Sequence, residues 1–411
     1  MNDPALANAY LFRQPIINRE QALAGYQLTF GDDEMIDRSR AAGPLCAAYS
    51  ELGLRSALGN STAFIGIDAD FLHQAAVELL PAEGVVLELM LEQLPDPEIL
   101  SRCRSLRARG YSLAFSGYGG IDDRSRPLLP MIDIIEIDLR STRDDQLSDL
   151  AESLRHLPIQ LMAQNVDSRE KMETCRRIGF DLFHGNYFAQ PEIVKGRRLS
   201  PTQASLIQLI NLLNRDAETT VIEDAFKHEP ALTVNLLRVV NAVGHRGSRL
   251  AQPVTSVRHA ITLLGRRQIQ RWLSLLLLAP SGSGDPIRSP LLQVAALRGR
   301  MMELLIELSP GTEARLGELA FLTGVLSMLP AALGLPLAEI LQQLTVEPRI
   351  QDALCEHRGL LGRSLALLEC FDGEDAACCD KLLNDLPGHP ARSTLNKCLG
   401  DALRWLNATG E

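Results

Sequence analysis

The pattern of apolar residues changes near residue 200. Before about residue 190, short runs rich in β-branched residues alternate with helix-like segments, and glycines close several of those segments as helix stops. Beyond residue 200 the runs are leucine-rich with helical spacing. A chain of 411 residues is also too long for one ordinary core. The sequence therefore predicts a barrel domain over 1–193, a linker over 194–203 and an all-helical domain over 204–411.

Strand-like runs occur eight times in the first half. With helices between them, they predict an α/β fold of the TIM-like barrel type. The first two runs are only about seven residues apart, which is too short for a crossover helix, so we expect an antiparallel pair there. The runs are 11–17, 25–30, 62–68, 84–90, 111–117, 133–139, 159–166 and 181–189.

Charge and apolar stretches limit the partners. A net charge of −10 disfavours a general nucleic-acid binder. The N-terminal segment lacks the basic region of a secretory signal. The stretch from Leu319 to Ala338 has no charge, but Pro330 and Pro336 would break a membrane-spanning helix. We expect two buried helical pieces there, no membrane partner and a cytoplasmic protein.

The eight cysteines include no CxxC pair, so a zinc site has no local ligand pair from which to start. Cys378 and Cys379 are adjacent. In a cytosolic protein the expected state of these thiols is reduced.

Two sets of motifs resemble known families. RQPIINREQALAGYQLTF (13–30) resembles the opening of EAL domains, the cyclic di-GMP phosphodiesterase family, and VVLELM (85–90), IIEIDLR (134–140), LMAQNV (161–166) and GFDLFHGNYFAQP (179–191) follow in the family's order. The likeness covers most of residues 10 to 191. IEDAFKHEPALTVNLLRVVNAVG (222–244), SVRHAITLLGRRQIQRWL (256–273) and ELAFLTGVLSML (318–329) resemble HDOD domains, the metal-free relatives of HD phosphohydrolases. Together the two halves resemble EAL-HDOD signalling proteins.

The EAL resemblance implies hydrolysis of a phosphodiester by water that is activated on divalent metals. Such metals need carboxylate oxygens, and amide or apolar side chains cannot replace their charge. Glu88 and Asp138 are the carboxylates that remain from the family's set, either as partly buried structural acids paired with an arginine or backbone donors, or as residual metal ligands. The other matched positions are Gln27 for the motif glutamate, Gly66 for an asparagine, Leu91 for a second glutamate, Ser116 and Gly117 for paired aspartates, Glu136 for a lysine, Gln164 for a glutamate and His184 for a glutamine. His184 is interpreted as a polar core residue, with a ligand role as the alternative.

The HD signature is also absent from the sequence. None of the eight histidines is followed by aspartate, and Ser327 and Met328 occupy the position of the HD pair. Neutral imidazoles and a carboxylate are what hold the metals in such enzymes. We therefore expect no metal and no cofactor in either domain.

Arginines are concentrated in the helical half. Seven lie between Pro230 and Gly284, and this stretch contains no acid. Such a face predicts an interface that works by charge, with the acidic barrel domain or a protein partner opposite it. A nucleic-acid role is disfavoured, because Trp272 is the one aromatic residue that could stack there. The candidate interface residues are Arg258, Arg266, Arg267 and Arg271.

These observations predict a catalytically inactive bacterial signalling protein that acts through protein contacts in or near cyclic di-GMP signalling. The alternatives are a receptor that binds cyclic di-GMP without hydrolysis and a weak residual phosphodiesterase. The sequence identifies neither the protein partner nor the oligomeric state.

Overall fold

The computed structural model describes residues 9–31, 58, 61–91, 95–120, 122, 125–193, 199–247, 254–279 and 289–410. Within these residues the first half forms a closed barrel whose eight strands neighbour one another in chain order. Each predicted strand run overlaps one of them, which confirms the predicted barrel. The strands are β1 (Tyr10–Asn18), β2 (Leu23–Gly31), β3 (Thr62–Ile67), β4 (Val85–Leu89), β5 (Ser112–Phe115), β6 (Ile134–Asp138), β7 (Gln160–Gln164) and β8 (Leu182–His184).

The first two strands form the expected antiparallel pair, in which Gln14 lies opposite Gln27. The Asn18 side chain stabilises the turn between them by accepting hydrogen bonds from the backbone N–H groups of Glu20 (3.1 Å) and Ala22 (2.9 Å). Strand β1 also runs antiparallel to β8. The pairs from β2 to β8 are parallel, so the carboxyl ends of β2 to β8 lie at the same end of the barrel.

Short helices connect the parallel strands. Asp96 and Ser168 cap two of them with side-chain oxygens that accept backbone N–H bonds. The barrel helices are α1 (Ala69–His73), α2 (Pro97–Ala108), α3 (Asp144–Leu154) and α4 (Arg169–Ile178).

The barrel interior has an apolar layer with a polar layer above it. The apolar layer consists of Ile16, Phe64, Val86, Ala114, Ile134, Met162 and Leu182. Because side chains alternate along a strand, the residues two positions further along each parallel strand face the same interior nearer the carboxyl ends. Those residues are Gly66, Glu88, Ser116, Glu136, Gln164 and His184.

The second half is helical, as predicted. Its first helix begins at Pro201, inside the segment predicted as a linker, where Ser200 and Gln203 form a capping box. Gly265 interrupts α8 with a φ of 78°. The helices are α5 (Pro201–Asn214), α6 (Thr219–Lys227), α7 (Pro230–Gly247), α8 (Val257–Leu276), α9 (Pro290–Leu308), α10 (Ala314–Leu326), α11 (Leu329–Leu333), α12 (Leu337–Gln343), α13 (Pro348–Glu356), α14 (Gly359–Asp372), α15 (Ala376–Asp385) and α16 (Arg392–Gly410).

The uncharged stretch forms two helical pieces, α10 and α11, as expected. By length and composition, Arg315–Leu333 is one candidate membrane span among the described residues. However, 67% of its most apolar window is buried inside the protein. Burial of this kind is typical of a core helix.

The expectation of reduced thiols is wrong for one cysteine pair. Cys370 and Cys378 form a disulfide between α14 and α15, with Cα atoms 5.9 Å apart. That spacing allows a bridge, and the sequence does not reveal it because helix packing brings the residues together.

Candidate functional site

The polar layer of the barrel, together with Gln27 of β2, is the candidate site. Its polar side chains occupy the positions that match the metal-ligand set, and none of the five is more than 4% exposed. Polar groups at such depth need hydrogen-bond partners. The five are Gln27, Glu88, Glu136, Gln164 and His184.

A side-chain amide is hydrogen-bonded to Glu88, the first of the two retained acids. The Nε2 atom of Gln27 donates a hydrogen bond to Oε2 of Glu88. The sequence predicted an arginine or backbone donors for this carboxylate. Oε1 of Glu88 has no hydrogen-bond partner among the described residues. Gln27, which the motif comparison matches with the family's glutamate, is therefore a hydrogen-bond donor to the acid on a nearby strand.

A second amide–carboxylate pair lies between β6 and β7. Nε2 of Gln164 donates to Oε2 of Glu136. Sequence reasoning treated these two positions as separate losses, a lysine replaced by glutamate and a glutamate replaced by glutamine. The two departures are complementary, because β6 carries an acid in place of the lysine and β7 carries a hydrogen-bond donor in place of the glutamate. Two coordinated departures on adjacent strands were the signal that could have revealed this contact.

The second surviving acid orders a turn. Asp138 ends β6, and its Oδ1 accepts hydrogen bonds from Nδ2 of Asn165 (2.7 Å) and from the backbone N–H of Arg140 (2.9 Å). Both donors belong to loops at the carboxyl end of the barrel. Asp138 thus acts as a loop-ordering acceptor.

The remaining matched positions supply little for a cation. Gly66 lies opposite Glu88 in the β3–β4 register and has no side chain. Leu91 is buried in the apolar core, and Gly117 adopts a left-handed φ of 73°. Ser116 offers only a neutral hydroxyl. Within the described ranges, no three His, Cys, Asp or Glu side chains are grouped as metal ligands.

The helical half lies against the rim of the site. Tyr10 and Phe12 alternate with Gln14 and Ile16, so they continue the interior face of β1 to the carboxyl end of the barrel. The ring of Phe371, at the end of α14, is centred 5.2 Å from that of Phe12 and 6.3 Å from that of Tyr10. Active sites of TIM barrels lie at this end. Helix α14 therefore packs at the mouth of the candidate site.

Polar contacts fix the same end of β1. Asn396 of α16 accepts a hydrogen bond from the Leu11 backbone N–H (2.8 Å) and donates to the carbonyl oxygen of Ala9 (2.8 Å). The Tyr10 hydroxyl donates to Asp380 of α15 (2.6 Å). Burial, and then this bond to Asp380, raise the pKa of Tyr10 well above its usual range, so the hydroxyl remains a donor at neutral pH.

A guanidinium lies beside the position of the HD pair. Arg298 of α9 donates to Oγ of Ser327 (2.9 Å) and to Oδ2 of Asp372 (2.7 and 3.0 Å). Met328 is buried in the apolar core. The backbone carbonyl of Asp372 accepts a bond from Nδ2 of Asn186, which follows β8 (3.2 Å). This position is thus part of a partly buried ion-pair network that reaches the barrel.

The candidate interface arginines contact acids of their own half. The barrel was one expected source of these acids and a protein partner the other. For these four arginines the barrel expectation is wrong, because α5 to α10 pack so that acids outside the arginine-rich stretch face it. The pairs are Arg258 with Glu223, Arg266 with Asp216, Arg267 with Glu318, and Arg271 with Glu303.

The chain resembles curated proteins over most of its length. It is 28% identical to CdgJ of Vibrio cholerae, named a cyclic di-GMP phosphodiesterase, over 91% of this chain and 87% of the relative. It is 25% identical to YuxH of Bacillus subtilis, an uncharacterized protein, over 96% of this chain and 97% of the relative.

Solved structures and a domain family complete the comparison. An EAL domain protein of Listeria monocytogenes is 16% identical over 45% of this chain and 89% of its own, with a TM-score of 0.34. A standalone EAL protein of Vibrio cholerae is 19% identical over 44% of this chain and 92% of its own, with a TM-score of 0.36. The family model of the HDOD domain matches residues 199–328. C-terminal to an eight-stranded barrel with an antiparallel first strand, the chain therefore carries an HDOD domain, as its helical motifs predicted.

Proposed function

We propose that this chain is a catalytically inactive cytoplasmic signalling protein that acts through protein contacts in or near cyclic di-GMP signalling. One observation carries the loss of catalysis: buried amides of Gln27 and Gln164 donate to the acids Glu88 and Glu136. Metal-assisted hydrolysis needs carboxylates that bind the cation and lower the pKa of its water. Here neutral amides occupy the places of two acids.

The link to cyclic di-GMP rests on similarity. CdgJ, a named cyclic di-GMP phosphodiesterase, matches 91% of this chain at 28% identity. This supports a place in the same signalling system, and it leaves a weak residual phosphodiesterase as one alternative. The other alternative is a receptor that binds the dinucleotide without hydrolysis. The position of Phe371 at the barrel mouth opposes that alternative, because this ring packs on Phe12 where a ligand would enter.

A surface of α6 and α8 is our candidate for partner binding. Arg258 and Arg267 remain 60% and 71% exposed although each has an acidic partner. Val221 and Leu263 on the same two helices are 47% and 44% exposed. Exposed apolar side chains and arginines are both typical of protein interfaces. We therefore expect a protein partner that presents apolar and acidic groups.

The protein is expected not to hydrolyse cyclic di-GMP in the presence of Mg²⁺ or Mn²⁺. The purified full chain is incubated with the dinucleotide, and the linear product is measured by chromatography. Glu88→Gln is expected to leave this null result unchanged, as is Glu98→Gln, a control at an exposed acid. Metal-dependent turnover that Glu88→Gln abolishes and Glu98→Gln spares would refute the proposed inactivity.

Calorimetry on the same preparation distinguishes the receptor alternative from our proposal. We expect no saturable heat with cyclic di-GMP at micromolar concentration in either Mg²⁺ or Ca²⁺. Saturable binding near unit stoichiometry, without turnover, would replace our proposal by the receptor.

Charge and shape changes on the α6–α8 surface are expected to weaken partner binding. Leu263→Asp, and separately Arg258→Glu with Arg267→Glu, should reduce the protein recovered with the tagged chain from native-host extract by about tenfold. The charge reversal should also flatten the salt dependence of recovery. Leu308→Asp is the control, since Leu308 is 58% exposed on α9. Equal recovery with all variants would exclude this surface.

A further inference from the structure

The Cys370–Cys378 disulfide joins the end of α14 to the start of α15 across a separation of eight residues. Both cysteines are partly exposed. They line a cleft of about 550 Å³ together with His357, Glu369, Asp375 and Leu382. A cleft of this size admits a small thiol, so the bridge is accessible to exchange.

The bridge is close in the chain to two residues that contact β1. Phe371, next to Cys370, packs on Phe12 (5.2 Å between ring centres). Asp380, two residues after Cys378, accepts the Tyr10 hydroxyl bond (2.6 Å). The cross-link therefore restrains the two helix ends that fasten the helical half to the barrel mouth.

The other described thiols are less suited to exchange. Burial raises the pKa of Cys379 to about 12, that of Cys398 to about 12 and that of Cys103 to about 11. Thiolates are the reactive form, so these groups are inert at neutral pH. Cys355 is exposed but is not disulfide-bonded. Cytosolic disulfides in mesophiles are usually transient or redox-sensing.

We propose that Cys370 and Cys378 form a redox-exchange site whose state controls how tightly the helical half holds the barrel mouth. A thiolate of a low-molecular-weight dithiol enters the cleft and attacks one sulfur. The S–S bond breaks, a mixed disulfide forms, and the other sulfur leaves as a thiolate. The second thiol of the reductant resolves the mixed disulfide. The protein gains two electrons and two protons as two thiols, and the reductant becomes a cyclic disulfide.

Reduction removes the restraint between α14 and α15. The contact of Phe371 with β1 then depends on helix packing, and that of Asp380 on helix packing and its ion pair with Arg392. Reoxidation by a disulfide of the same class reverses the sequence. This inference is independent of the proposed loss of catalysis.

Two measurements on the full chain test the site. Native alkylation at neutral pH with a maleimide, read by intact mass and peptide mapping, is expected to add two labels after dithiothreitol, at Cys370 and Cys378. Hydrogen exchange is expected to accelerate by about tenfold at the β1 amides, including Leu11, after the same reduction. The double variant Cys370→Ser, Cys378→Ser should show the fast exchange with or without reductant. Cys355→Ser is the control: it should lack the label on the exposed Cys355 thiol but gain the same two labels and the same faster exchange as wild type after reduction.

The wild-type measurement keeps the test independent of variant folding. If dithiothreitol adds no labels at these two positions, the exchange site is refuted. If the labels appear while β1 exchange stays constant, the control of the barrel contact is refuted.

Discussion

Gly324→Val is expected to unfold the helical half, with a loss of more than about 3 kcal/mol in the free energy of unfolding. A Cβ at Gly324 of α10 would lie 2.7 Å from the Cα of Gly299 and 2.8 Å from its nitrogen, both on α9. A Cβ at Gly299 would likewise lie 2.8 Å from the carbonyl oxygen of Phe321. Backbone atoms meet backbone atoms at this crossing, so no side-chain rotation can relieve the clash. The measurement is chemical denaturation followed by circular dichroism.

Gly317→Ala provides the matched control on the same helix. A Cβ at Gly317 would find its nearest atom, the Cγ of Glu307, at 3.6 Å, which is ordinary contact. Because alanine favours a helix over glycine by about 1 kcal/mol, this variant should be neutral or slightly stabilised. A Gly324→Val protein with the wild-type denaturation midpoint would show that the two helices do not cross this closely.

The barrel could be predicted because its signals are local. Alternation and β-branched content mark each strand, and the short connection after Asn18 leaves no room for a crossover helix. The division of the uncharged stretch into two helices could be predicted for the same reason, because its prolines are also a local signal. The loss of acids at the matched positions stays a prediction, because it rests on comparing residue types alone.

The pairings inside the site could not be predicted from the sequence. Gln164 contacts Glu136 because the β6–β7 register and the strand pleat bring the two side chains together. The acids that face the arginine-rich segment, such as Glu223 and Glu318, lie outside that segment in the chain and reach it through helix packing. Tertiary contacts of this kind leave no periodic trace in the sequence.

Arg298→Met is expected to cost about 3 kcal/mol in the free energy of unfolding, because it leaves a carboxylate without its cation. The Arg298 side chain is 9% exposed and pairs with Asp372, which is 30% exposed. The same variant also removes the donor to Ser327. Arg358→Met is the matched control, because Arg358 and its partner Glu356 are 71% and 49% exposed. Exposed pairs contribute little, so the control should change the free energy of unfolding by less than about 0.5 kcal/mol.

A double-mutant cycle separates the ion pair from packing of the arginine stem. Asp372→Asn alone leaves the Arg298 cation without its counter-charge, and the double variant removes both charges. The double variant should therefore lose less than the sum of the single losses, with a coupling energy of about 1 to 2 kcal/mol. Additive losses would mean that Arg298 stabilises the fold through its aliphatic stem and its bond to Ser327. A measured coupling energy would mean that the ion pair itself positions Asp372, whose carbonyl oxygen accepts the bond from Asn186. Arg298→Met should then also loosen the contact between α14 and the loop after β8.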